Sequence, residues 1–223
     1  MLEKRQQNPA AVAEQNILRW GKPGPGRLVV LHGWGANGQD LLPLGMHLME
    51  GLGDVVALEA PELHPHVPGG RQWYPLTRET QAQGWPGVPK ALAAINHHLT
   101  CLGQEHPWPQ TALLGFSQGA AMALEAAVHK PLAGVVACSG YPHGRNPLQG
   151  LQSPVLLIHG RNDPVIPLRA SLRLQELLEA QGCEVTLQSF PGEHTIPTET
   201  LVPIRQFLER CFMLPPGGSG ESG

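Results

Sequence analysis

Short apolar runs alternate with helix-period stretches along almost the whole of this chain, and that alternation limits the folds open to it. Runs rich in Val, Leu and Ile, each closed by a turn signal, occupy residues 28–32, 55–59, 112–116, 135–139, 155–159 and 185–190. Between them, helical periodicity covers 39–51, 78–102, 118–129, 168–181 and 199–212. The runs read as buried strands. Strands joined by helical crossovers run parallel, so the expected fold class is α/β, with a mostly parallel central sheet and helices on both faces. A further strand at 16–20 is expected to pair antiparallel with the strand at 28–32.

At 223 residues the chain has the size of one domain with one core. The reading is a single domain over 1–214 and a disordered tail over 215–223, where Pro, Gly and Ser leave nothing to bury. Gly (27) and Pro (23) are abundant, yet Leu, Ile, Val and Phe make up about a quarter of the residues. That is enough to build a core, so the Gly and Pro read as turns. No period of tens of residues repeats, which leaves solenoids and propellers without support.

Fifteen basic and 18 acidic residues are spread along the chain for a net charge of −3, with no block of like charge to hold a polyanion. Nucleic acid is therefore not an expected partner. No uncharged run matches a membrane span, and the amino terminus lacks the apolar stretch of a secretory signal. A soluble, cytoplasmic protein without stable membrane insertion is expected, as a monomer or homodimer. Cys101, Cys138, Cys183 and Cys211 show no Cys-x-x-Cys spacing, and they read as buried free thiols rather than zinc ligands or disulfides.

Chemistry concentrates in three segments. Gly115-Phe116-Ser117-Gln118-Gly119 matches G-x-S-x-G between an expected strand and an expected helix, the setting in which a serine hydroxyl is exposed on a sharp turn. A serine needs an imidazole to take its proton, and the imidazole needs a carboxylate to fix its tautomer. In this architecture the chain order is Ser, acid, His. Asp163 is the only aspartate after Ser117, and His194 the only histidine after Asp163. Each follows a different expected strand, so the loops carrying them should converge on one rim. The plainer readings are an Asx turn before Pro164 for Asp163 and a solvated loop residue for His194. Acyl transfer also requires two backbone donors for the oxyanion. The Gln118 amide supplies one, and the Trp34 amide in His32-Gly33-Trp34-Gly35 is expected to supply the other, with its indole lining the pocket.

That same loop supports a competing reading. Gly33, Gly35 and Gly38 form G-x-G-x-x-G after a strand, and Glu59 closes the next strand 21 residues past Gly38, which suits a dinucleotide-binding oxidoreductase. Against it, bulky Trp34 sits where backbone and pyrophosphate would have to meet. His64 and His66 find no third ligand at a recognisable spacing, so no metal is expected and both read as solvated. The longest irregular stretch, 61–77, is rich in Pro, Gly and His and carries Trp73 and Tyr74; its length suits a functional loop.

Together, Leu31-His32-Gly33-Trp34-Gly35, Gly115-Phe116-Ser117-Gln118-Gly119-Ala120 and the segment from His159 to Pro167 with Gly192-Glu193-His194 resemble the phospholipase/carboxylesterase family of α/β-hydrolases. The resemblance covers nearly all the chain except its tails. It implies a compact hydrolase without a large cap domain, a Ser117–Asp163–His194 triad and an oxyanion hole at Trp34 and Gln118. No cofactor is implied, and the implied ligand is a small acyl ester or thioester. It also implies that Trp73 and Tyr74, in Gly70-Arg71-Gln72-Trp73-Tyr74-Pro75, face the acyl pocket, core packing being the alternative. The chain departs from the family where Trp34 replaces a smaller aliphatic residue and where Gly35-Ala36-Asn37-Gly38 replaces Gly-Asp-Thr-Gly. A non-catalytic binding module on a hydrolase fold is the remaining alternative, since fold does not dictate function.

Overall fold

The structure, a computed structural model, describes residues 17–144 and 148–213. The tail over 215–223 lies outside the described residues. In chain order the elements are β1 (Ile17–Trp20), β2 (Gly26–Leu31), α1 (Gly38–Met49), β3 (Gly53–Leu58), β4 (Glu62–Leu63), β5 (Arg71–Gln72), α2 (Arg78–Ala82) and α3 (Val88–Glu105). There follow β6 (Thr111–Phe116), α4 (Gln118–Ala127), β7 (Gly134–Cys138), β8 (Val155–Gly160), α5 (Arg169–Glu179), β9 (Val185–Phe190) and α6 (Leu201–Met213).

Seven strands form one sheet in the order β1-β3-β2-β6-β7-β8-β9, all parallel except β1. Because side chains alternate across a strand, each central strand feeds two cores. Val29, Leu31, Leu113 and Val135 face α3, α4 and α5, packing with Ile95, Leu99, Met122 and Leu174. Leu28, Val30, Leu114 and Val136 face the other way, toward Leu48 of α1 and Ile204, Phe207 and Leu208 of α6. Burial on both faces is what makes these strands read as nearly continuous apolar runs.

Four expectations are corrected. β1 pairs antiparallel with β3, not with the strand at Leu28. β2 is buried at every residue and already has β3 and β6 as parallel partners, whereas β1, half-buried with one exposed residue, suits an edge. The helix expected over 78–102 is two helices. Gly84 and Trp85 take φ of +77° and +62°, and Pro86 and Gly87 follow before α3 begins. A residue before proline is kept out of the right-handed helical region, so the break falls at Trp85. The stretch 61–77 is also not wholly irregular, since β4 and β5 pair in an antiparallel ribbon within it. All four cysteines are free, but Cys101 is only half-buried. Among the described residues, no helix is long and apolar enough to cross a membrane.

At the opposite edge from the strand-end loops, Arg27 is 2% exposed and grips Asp54 through Nη2–Oδ2 at 2.7 Å and Nε–Oδ1 at 3.0 Å. It also reaches Glu105 and the Leu102 carbonyl, tying β2, β3 and α3 together. Removing one member of a buried pair strands the other charge, so Arg27→Met is expected to cost about 3–5 kcal/mol in urea unfolding. Arg27→Met combined with Asp54→Leu should recover most of that loss.

Candidate active site

The C-terminal edge of the sheet collects the candidate residues. Ser117, between β6 and α4, holds φ +52°, ψ −116°, a conformation that an L-residue keeps only where its surroundings enforce it. Its N–H donates to the Cys138 carbonyl at 2.8 Å, extending the β6–β7 ladder by one bond. The flanking glycines are required by space. A Cβ on Gly115 would stand 2.3 Å from the Gly119 carbonyl oxygen, and one on Gly119 would stand 2.1 Å from that of Leu31. The first turn of α4 thus abuts the end of β2, bringing the loop that carries Trp34 beside the turn that carries Ser117.

Among the described residues, no acceptor takes the Trp34 or Gln118 backbone N–H. For Gln118, the first residue of α4, a free donor follows from helix geometry. Both amides are available as oxyanion donors. The Trp34 indole donates to Gln72 Oε1 at 3.0 Å, while its ring meets His64 edge-on at 4.2 Å. It remains 42% exposed.

Asp163 serves two structures at once. Its Oδ1 accepts the N–H groups of Val165 (2.9 Å) and Ile166 (2.8 Å), the local turn that Pro164 favours. Its Oδ2 accepts from His194 Nδ1 at 2.7 Å. The turn and the histidine contact are therefore not alternatives but different oxygens. Burial raises the Asp163 pKa, but the bonds from His194, Ile166 and Val165 together outweigh it and hold the carboxyl below its ordinary value. An ionised Asp163 fixes the proton of His194 on Nδ1 and leaves Nε2 as a base.

The acid and histidine loops are laced together. Arg161 N–H donates to the Phe190 carbonyl and Asn162 N–H to that of Gly192. Gly160 permits the approach, since a Cβ there would lie 2.2 Å from the Glu193 oxygen. The His194 ring packs on Phe116, the residue before Ser117, with centroids 4.8 Å apart. Among the described residues, no hydrogen bond joins Ser117 Oγ to the imidazole. The serine–histidine contact of such sites is commonly long until substrate is bound.

Trp73 and Tyr74 are enclosed by other residues. They are 2% and 1% exposed and sit in the core, which corrects the expectation that they face substrate. The Trp73 indole donates to the His32 carbonyl at 2.8 Å. Its backbone N–H donates to Gln118 Oε1, and Gln118 Nε2 donates to the Tyr74 carbonyl. The Tyr74 hydroxyl bonds Tyr141 and His143, and burial pushes its pKa upward. The two aromatics act as struts between the end of β2 and the first turn of α4. Sequence reasoning assigned a role to the Gln118 amide and missed its side chain, which carries no local signal. His64 is likewise buried rather than solvated, its Nδ1 accepting from the His66 and Val67 N–H groups.

His32 and His159 are internal crosslinks. His32 Nδ1 donates to the Gly33 carbonyl and Nε2 accepts from Ala60 N–H, while burial lowers its pKa to about 4. His159 Nε2 donates to the Ile166 carbonyl and Nδ1 accepts from Ser171 Oγ; its pKa is also lowered, by burial first. Glu59, the acid of the dinucleotide reading, faces Arg71 at 3.4 Å. An open cleft of about 360 Å³ runs from Gly33 and His194 along α1. A larger one, about 490 Å³, lies along α6 among Gln206, Glu209, Arg210 and Met213, none of them part of this site.

Comparison with known proteins follows the same line. The profile of the family described as Phospholipase/Carboxylesterase matches residues 14–212. Esterase YpfH of Escherichia coli is 30% identical over 173 residues, 74% of each chain. Acyl-protein thioesterase 1 of Saccharomyces cerevisiae is 26% identical over 222 residues, 86% of this chain and 95% of its own. Among solved structures, esterase PE8 superposes with a TM-score of 0.82 at 29% identity, covering 88% of this chain and 98% of its own. A Bacillus cereus carboxylesterase shares the fold with a TM-score of 0.72 at 20% identity, covering 92% and 100%.

The depressed His32 pKa gives a pH prediction. The unfolded chain takes up a proton near pH 6.5 that the folded chain refuses until about pH 4. The contribution to stability is whole above pH 6.5 and is lost as the pH falls toward 4, by up to about 3 kcal/mol from this group. His32→Leu, although less stable at pH 7, should lose less between pH 7 and 4.5 than the native chain when urea midpoints are compared.

Proposed function

The chain belongs to the phospholipase/carboxylesterase family, and from that premise we propose that it cleaves carboxylic esters or thioesters through an acyl-enzyme formed on Ser117. The observation that carries the reading is the 2.7 Å bond from His194 Nδ1 to Asp163 Oδ2, made beside the strained turn of Ser117. It leaves His194 Nε2 as the nitrogen able to accept a serine proton.

In this reading Ser117 Oγ attacks the carbonyl carbon and its proton passes to His194 Nε2. Charge developing on the carbonyl oxygen is stabilised by the backbone N–H groups of Trp34 and Gln118. The C–O or C–S bond then breaks, and the departing oxygen or sulfur takes the proton from His194. Water repeats the sequence against the acyl-serine and frees the acid. Asp163 keeps its charge throughout and stabilises the imidazolium. Holding the two oxyanion donors in register is a positioning task, and the Trp73 and Gln118 side-chain bonds suit it.

Ser117→Ala should abolish labelling by a fluorophosphonate probe and ester turnover together, with the thermal midpoint little changed. Asp163→Asn should keep the loop turn through its remaining carbonyl oxygen yet favour the wrong imidazole tautomer, lowering kcat by about 10⁴-fold. Labelling of Ser117→Ala as strong as that of the native chain would remove the nucleophile assignment.

A further inference from the structure

Chemistry gives the cleft beside His194 a direction. Its lining includes Leu41 and Leu44 of α1, Phe116 at the end of β6 and Ile196 after β9, together with His194 and Asp40. At about 360 Å³ it has room for about a dozen non-hydrogen atoms, taking the ~30 Å³ share of a liquid water for each. A carbonyl substrate is divided at the scissile bond. Its carbonyl oxygen belongs against the Trp34 and Gln118 amides. Its leaving oxygen or sulfur belongs against His194 Nε2, because that nitrogen must return the serine proton to it. A group departing past His194 therefore occupies the space that His194 itself lines. On Trp34's side of the oxyanion loop, the indole held by Gln72 and packed on His64 takes up room.

We propose that this cleft is a leaving-group subsite, selecting esters and thioesters whose alcohol or thiol part is apolar and carries no negative charge. The proposal rests on the acyl-enzyme reading above. Leu41, Leu44, Phe116 and Ile196 offer an apolar chain a surface to bury, worth up to about fourfold in kcat/KM per methylene. Charge selection comes from Asp40. Its Oδ2 accepts the Asn37 N–H at 2.7 Å in the first turn of α1, which fixes the carboxylate there. Among the described residues, the lining contains no lysine or arginine to offset it. An anionic leaving group would face a carboxylate held by a backbone N–H and by no lysine or arginine of the lining.

The test uses two ester series on the full chain. In one, butyryl is fixed and the alcohol runs from methyl to hexyl; in the other, methanol is fixed and the acyl chain grows. Lengthening the alcohol should raise kcat/KM at least about tenfold across its series. Leu44→Trp, which fills the cleft, should flatten that slope and leave the acyl slope as it was. Butyryl esters of a six-carbon alcohol ending in a carboxylate should be cleaved at least about tenfold more slowly than the hexyl ester, a gap that Asp40→Asn narrows. If Leu44→Trp does not fold, Ile196→Trp, on a different segment of the lining, reads the same slope. An alcohol slope that both filled variants leave intact, or an acyl slope that collapses instead, would overturn the assignment. Failure of the underlying reading looks different: no ester of either series would turn over and the probe would not label Ser117, and the subsite would fall with it.

Discussion

The site depends on one close approach between two pieces of backbone. The first turn of α4 presses on the Leu31 and His32 carbonyls, and only a residue without a side chain at position 119 allows it. That contact sets the distance between the Gln118 amide, at the start of α4, and the Trp34 amide, in the loop that leaves β2. It also forces the chain to turn within one residue, which is why Ser117 holds a positive φ and stands proud of the sheet. Moving either glycine to alanine would press a methyl group against backbone atoms that cannot yield.

Around that contact the protein spends its buried polar groups on restraint. Gln118 is 1% exposed, yet both ends of its side-chain amide are paired, to the backbone of Trp73 and Tyr74. Trp73 completes the link by donating to the His32 carbonyl, and the His32 ring spans from Gly33 to Ala60. The side chains of Gln118, Trp73 and His32 are thus all paired, which rigidifies the link between these segments. The loop after β3 is thereby fastened both to the loop that leaves β2 and to the first turn of α4.

On the other side of the site, electrostatics and turn geometry share one carboxylate. The backbone N–H groups of Val165 and Ile166 hold Oδ1, and this orients Oδ2 toward His194. The same bonds keep Asp163 ionised despite its burial. His159 supports the arrangement from beneath, bonding the Ile166 carbonyl with one nitrogen and Ser171 with the other. Burial lowers its pKa and so favours the neutral ring, the form in which one nitrogen donates and the other accepts.

Much of this was legible along the chain. The strand–helix alternation specified a parallel sheet because local periodicity decides each element, and covering both faces leaves little other arrangement. The order Ser117, Asp163, His194 was also legible, because each residue stands at a strand end and parallel strands share one C-terminal edge. Tertiary structure alone decided the rest. Which strand β1 joins turned on which edges were already occupied, and the break at Trp85 interrupted a periodicity that otherwise continues. Trp73 and Tyr74 became struts rather than pocket walls because side-chain direction depends on contacts with residues forty positions away. Sequence fixes what each segment prefers on its own; long-range packing settles which groups meet, since those contacts join residues that no local pattern connects.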